Sequence, residues 1–133
     1  MHTVRVLIAD PEAEFTAVLA DRLESWGFAA MAANSREEAL ELLVTFRPEV
    51  AVIGLRGDGG RGLELMAAMQ AADPAIRMIL LLCKGTALAG MRGMTLGAAD
   101  CIPLPLELGQ LIDSIRRAIG LSDSIATDET DPG

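Results

Sequence analysis

The 133-residue sequence predicts an α/β fold, a doubly wound five-stranded parallel sheet, and three observations carry that prediction. Short, largely apolar runs alternate strictly with stretches whose apolar residues recur at helical spacing, five of each. The third run is apolar throughout and rich in β-branched residues, as a strand covered on both faces should be. The third, Val50 to Leu55, is bounded by Pro48 and by Gly57, Gly59 and Gly60, so a central strand passes through a glycine-rich loop into a helix.

Val4 to Ala9 is the first strand and ends on Asp10. Pro11 suits a first helical position, where a missing N–H costs nothing, and Asp10 suits the cap before it. Phe15, Val18, Leu19 and Leu23 keep helical spacing as far as Trp26 and Gly27. Phe28 to Ala32 is a short second strand. Ser35 and Glu38 then form a capping box ahead of a helix, Arg36 to Phe46, with Leu40, Leu43 and Val44 as its apolar stripe. Beyond the central strand, a helix from Leu63 to Ala72 turns Met66 and Met69 into the core; Asp73 and Pro74 stop it. Ile76 to Cys83 is the fourth strand. Thr86 caps a short helix carrying Leu88, Met91 and Leu96, weakened by Gly90, Gly93 and Gly97. Ala99 to Pro103 is the fifth strand. The last helix, Leu106 to Ile119, is patterned by Leu108, Leu111, Ile112 and Ile115 and ended by Gly120. Residues 1–120 thus make one domain. Residues 121–133 are polar, acidic and aperiodic, a linker or loose tail that hints at a following domain.

An apolar fraction of 51% excludes a disordered chain, and no apolar run is long enough to span a bilayer. Without a signal-peptide pattern at the start, a cytoplasmic protein is expected. The net charge of -8 argues against direct contact with nucleic acid, which needs a basic face. Cys83 and Cys101 fall in apolar strands and are expected to be inert packing residues.

The stretch Pro48 to Leu65, PEVAVIGLRGDGGRGLEL, resembles the third strand and following loop of the receiver domain of two-component response regulators. A second segment, LGAADCIPLPLE, resembles the same family's fifth strand. The resemblance covers about Thr3 to Gly120 and implies the flavodoxin-like (CheY-like) strand order 2-1-3-4-5. It also implies a phosphorylation site at the carboxyl ends of the strands: a pair of acids holding Mg²⁺, an aspartate nucleophile, a hydroxyl and a lysine.

This sequence departs from that set at nearly every position. The acid pair falls on Asp10 and Pro11, the phosphoacceptor on Gly54, the hydroxyl on Leu82 and the lysine on Leu104, with Pro105 kept. The aromatic position in the fifth strand falls on Cys101. Glycine offers neither nucleophile nor ligand, and Leu82 and Leu104 add apolar bulk where a dianion would sit. A degenerate or pseudo-receiver is expected, with no catalytic residues, no cofactor and no bound Mg²⁺. Asp58 reads as a solvated loop carboxylate and Lys84 as an exposed loop lysine.

The resemblance implies an interaction module acting on a protein partner or output domain, or forming a homodimer. The surface is the one built by the fourth helix, fifth strand and fifth helix, which here carries Arg92, Asp100, Cys101, Glu107, Asp113, Arg116 and Arg117. Asp100 with Arg116 and Arg117 matches positions that form charged contacts between subunits in one large receiver subgroup. The alternative is a small-molecule sensor, binding a nucleotide such as a cyclic dinucleotide through Arg56, Arg61 and the glycine-rich loop. An enzyme of other chemistry has no His, Ser or Cys constellation to support it; the lone His2 lies in the terminus.

Overall fold

A computed structural model describes residues 2–120; the expected tail at 121–133 lies outside the described residues. The elements run β1 (Arg5–Ala9), α1 (Ala13–Ser25), β2 (Ala29–Ala33), α2 (Arg36–Thr45), β3 (Val50–Leu55), α3 (Gly60–Ala72), β4 (Arg77–Leu82), α4 (Ala87–Thr95), β5 (Asp100–Pro103) and α5 (Leu108–Ala118). All pairings are parallel and the order is β2-β1-β3-β4-β5, the flavodoxin-like arrangement. β1 and β3 are neighbours at the centre, with Ala9 opposite Ile53. Asp10 and Gly54 follow at the carboxyl end of that pair.

Alternation along the strands divides the core into two layers. Leu7, Ala51, Ile53, Leu55, Met78 and Leu80 face α2, α3 and α4. Val6, Ile8, Val50, Val52, Ile79, Leu81 and Ile102 face α1 and α5. All six residues of β3 are buried, as a central strand of a doubly wound sheet requires. Met66 and Met69 are fully buried core residues.

Several local expectations are corrected. α1 starts at Ala13 with Glu12 at its N-cap, so Pro11 precedes the helix; Asp10 closes the turn before it by accepting the Glu12 N–H at 2.8 Å. Val18 is exposed and Thr16 is buried in its place, because the helix turns its Thr16, Leu19 and Leu23 stripe to the sheet. Val44 of α2 is likewise exposed, the buried positions being Ala39 and Leu43. Ser35 accepts the Glu38 N–H at 3.1 Å, while Glu38 reaches one residue further back than a standard box, to the N–H of Asn34 at 2.7 Å. α3 begins inside the glycine-rich loop, with Gly59 at its N-cap in the left-handed region, φ 84°. Cys83 lies beyond the end of β4, and both cysteines are only half-buried.

In α4 the residues that carry the helical spacing, Leu88, Met91 and Leu96, are 68%, 68% and 50% exposed. The helix buries Ala89, Gly90 and Gly93 instead. A Cβ on Gly90 would stand 2.7 Å from Leu82 Cδ2, and one on Gly93 would run into Leu80 Cδ1. These glycines are close-approach residues that let α4 lie down on the leucines of β4. Among the described residues, no helix is long and apolar enough to cross a membrane.

Candidate functional site at the carboxyl ends of the strands

In an open parallel sheet the cleft outside the carboxyl ends of the central strands is where ligands bind. Here a cleft of about 680 Å³ opens there, lined by Asp10, Pro11, Asn34, Gly54, Arg56, Asp58 and Arg61 among others. At its floor is one carboxylate. Asp10 is 4% exposed, and each of its oxygens is engaged: Oδ1 accepts the Glu12 N–H at 2.8 Å and Oδ2 accepts Arg56 Nε–H at 2.8 Å. Its carbonyl accepts the Asn34 side-chain amide at 2.9 Å, and that amide also donates to Thr16 Oγ1 at 2.9 Å.

Arg56 leaves β3 two residues after Gly54 and folds back over the strand end. Its guanidinium carbon lies 5.5 Å from the centroid of the Phe15 ring, so the cation has an aromatic face on one side and the carboxylate on the other. The hydrogen bond to Asp10 holds Arg56 above the usual arginine range, although partial burial opposes the charge.

Gly54 completes the arrangement. A Cβ at this position would collide with the Asp10 carboxylate, meeting Cγ at 2.8 Å and overlapping Oδ2. The space next to the strand end is therefore filled by Asp10, drawn there by Arg56. Pro11 is exposed at the rim. Leu82 ends β4 opposite Leu55 and Pro103, half-buried against α4. Leu104 is half-buried on the α1/α5 side and forms a cis peptide bond with Pro105. Asp58 spends Oδ1 on the Gly60 N–H at 2.8 Å, inside the loop. Lys84 is exposed and has no hydrogen bond or ion pair among the described residues. Asp10, Gly54 and Arg56 are brought together; Leu82 and Leu104 fall on opposite faces of the sheet.

On the second surface, Asp100 is already committed within the domain. Its Oδ2 accepts Ser114 Oγ–H at 2.7 Å and Arg117 NH2 at 3.3 Å, and Oδ1 accepts the Cys101 N–H at 2.9 Å. Burial, helped by Asp100, pushes the Cys101 thiol up. Arg92, Glu107 and Asp113 are exposed and Arg116 is half-buried. The sequence reading missed Phe15, Thr16, Asn34 and the role of Arg56. Only the last had a visible signal, a basic residue two positions past the end of a buried strand.

A doubly wound sheet in this strand order, with a turn at the end of β1 and a loop at the end of β3 framing one cleft, defines the receiver class of fold. The chain belongs to the response regulator receiver domain family, whose model matches residues 6–116. It is 31% identical over 110 residues to the acid tolerance regulatory protein ActR of Rhizobium meliloti, covering 83% of this chain and 57% of that protein. It thus spans little more than half the length of that relative. Among solved structures it resembles FixJ-N, with a TM-score of 0.78 and 30% identity over 89% of this chain and 94% of that one. A receiver domain protein from Clostridium thermocellum superposes with a TM-score of 0.82 at 19% identity, covering 92% of this chain and 98% of that one. The domain is therefore a receiver of two-component signalling.

Proposed function

We propose that this receiver is a pseudo-receiver, signalling in the cytoplasm without phosphorylation as a protein-interaction module whose output passes through the face of α4, β5 and α5. The observation that carries the reading is the Asp10–Arg56 pair seated over Gly54. The volume a nucleophile would need is taken, and the surviving carboxylate has an arginine for a counterion. A divalent ion does not suit what is left. Asp10 has Arg56 as its counterion, and no three His, Cys, Asp or Glu side chains converge among the described residues. Leu82 and Leu104 stand where the resemblance implies a hydroxyl and a lysine, so nothing polar replaces the charge-stabilising groups. No enzymatic step is assigned, and the partner is another protein or an output domain. The nucleotide-sensor reading is less favoured, since the Arg56 charge is paired with Asp10.

The test is incubation of the protein with Mg²⁺ and acetyl phosphate, or with beryllium fluoride, followed by intact mass and amide spectra. No added phosphoryl mass and no shift near Asp10 and Gly54 is expected. A phosphoryl adduct on any aspartate overturns the reading.

A further inference from the structure

A second cleft lies at the opposite end of the sheet, outside the amino ends of β1, β3 and β4. Its volume is about 680 Å³ and its wall is apolar, formed by Leu43, Val44, Pro48, Ile76 and Ile119. Three arginines stand around it, Arg5, Arg47 and Arg77, in a chain whose net charge is -8 and whose Lys and Arg number only 11. An apolar wall with a few placed polar groups, enclosing about 300–1,000 Å³, is the form that small-ligand sites take.

Backbone carbonyls hold two of these arginines in place, so their orientation is fixed without an acid. Arg77 donates Nε–H to the Ala118 carbonyl at 3.1 Å and Nη1–H to that of Ala75 at 2.7 Å. Arg5 donates Nε–H to the Arg47 carbonyl at 2.8 Å. The carbonyl-rich ends of α2 and α5, negative by their dipoles, are thereby covered by guanidinium groups. Two acids also line the cleft and both are engaged: Glu49 by the Arg5 N–H at 2.9 Å and by His2, Asp73 by the Ala75 N–H at 3.1 Å. Arg5 Nη1 stands 3.8 Å from Glu49, whereas Arg47 and Arg77 join no ion pair among the described residues. Arg47 adds a second sign. It follows the end of α2 at φ 56°, and among the described residues it is the one residue other than glycine in the left-handed region. Glycine is the common occupant after a helix end, and a side chain there costs backbone energy. What arginine supplies in return is a third guanidinium at the rim.

We propose that this cleft binds an anionic amphiphile, a carboxylate or phosphate head on a hydrocarbon body. The head is held by Arg47 and Arg77, whose forked donors suit either group. The body lies along the apolar wall and covers Val44, which is 72% exposed without it. This site is separate from the Asp10 cleft and does not depend on what that cleft does.

The experiment titrates the full chain, followed by amide shifts, with three probes: monomeric n-octyl phosphate, inorganic phosphate and n-octyltrimethylammonium. Octyl phosphate should shift the amides around Leu43 to Glu49, Ala72 to Arg77 and Ile119, and bind at least about tenfold more tightly than inorganic phosphate, which has no apolar body. The ammonium amphiphile should leave those amides unmoved. Arg47→Gly with Arg77→Gln should weaken octyl phosphate at least about tenfold. Arg47→Gly alone should not lower the melting temperature, because glycine relieves the left-handed backbone, so the loss is not one of folding. Val44→Glu, at an exposed wall position, should weaken the same probe with thermal stability unchanged. No binding, equal binding of inorganic phosphate, an equal response to the ammonium probe, shifts centred on Asp10, or undiminished affinity in the double variant overturns the proposal. Binding to phosphatidic acid vesicles without binding of monomeric octyl phosphate also overturns it, because the face would then be a membrane contact.

Discussion

Replacing Gly54 by alanine tests the geometry of the strand end more directly than any functional assay. In most strands the change is mildly favourable, by about 0.5–1 kcal/mol, because alanine loses less backbone freedom on folding. At this position the new methyl collides with the Asp10 carboxylate, which is buried and held by two hydrogen bonds. Asp10 must swing away from Arg56 Nε and from the Glu12 N–H, two hydrogen bonds at 2.8 Å. Hydrogen bonds to charged groups contribute about 1.5–3 kcal/mol each, so losing both outweighs the backbone gain, for a net loss of at least about 2 kcal/mol. Asp10→Ala removes the object of the collision. In that background Gly54→Ala should cost nothing or stabilise slightly. The four proteins form a double-mutant cycle, measured by urea unfolding followed by far-UV circular dichroism, with an expected coupling of about 2–4 kcal/mol in the sense that the second mutation relieves the first. Additivity within about 0.5 kcal/mol would refute the claim that Asp10 fills the space over Gly54.

Four further outcomes follow from the same structure. Gly90→Ala sets overpacking against Leu82, about 1–3 kcal/mol, against a helix-propensity gain of about 1 kcal/mol, so it should stabilise far less than that gain or destabilise by up to about 2 kcal/mol, and adding Leu82→Ala should recover the gain in urea unfolding; no recovery would mean that α4 is not seated on that leucine. Ser114→Ala, at a residue 2% exposed whose hydroxyl donates to Asp100, should cost about 1–2 kcal/mol in the same measurement. Arg117→Ala should cost less than about 1 kcal/mol, because that ion pair is solvated. Burial raises the pKa of Glu49, but the hydrogen bonds from the Arg5 N–H and His2 and the charges of His2 and Arg5 outweigh it and leave the pKa below its ordinary value of 4.5. A carboxylate with a depressed folded-state pKa stabilises above its unfolded pKa and loses that contribution as pH falls through the folded value. The gap between wild type and Glu49→Gln in a pH series of melting temperatures should therefore be open at neutral pH and close below about 4.5. A gap independent of pH would exclude the ionic origin.

The sheet was legible because its signal is redundant. Val50 to Leu55 is uniformly apolar, and a strand buried on both faces permits little else. Ser35 and Glu38 announced the start of α2 for a reason equally local, since a cap is made by residues three apart. The faces of the helices were less legible. In α4 the leucine and methionines follow helical spacing, and periodicity alone assigns them to the core. The inward side is composed of Ala89, Gly90 and Gly93, whose contribution is absence of bulk, and only the position of Leu80 and Leu82 beneath them decides which side is down. α1 failed similarly at Val18 and Thr16. Thr16 is satisfied by Asn34, a residue 18 positions away that no local pattern connects to it.

The site was legible as a set of substitutions and illegible as a structure. Reading Gly54 and Pro11 as losses accounts for two positions and leaves Asp10 unexplained. A carboxylate that is 4% exposed is costly to bury without a positive partner, and an uncompensated buried charge costs about 3–5 kcal/mol. Arg56 supplies the charge from within the chain, and it reaches Asp10 only because Gly54 leaves room for the carboxylate to lean across the strand end. The three residues are therefore interdependent. Introducing Gly54→Asp alone would push a second carboxylate into the first with one guanidinium between them, so that change should destabilise the fold and create no acceptor. Adding Arg56→Ala to it would clear the guanidinium but leave two adjacent carboxylates in a buried site, a pair whose repulsion a bound cation or a shared proton relieves. The sharpest version of the argument is thus a metal titration of the Gly54→Asp, Arg56→Ala protein: Mg²⁺ should raise its melting temperature and leave that of the wild type unchanged. A melting temperature raised by Mg²⁺ in the wild type as much as in the variant would show that Arg56 does not keep a cation from this site.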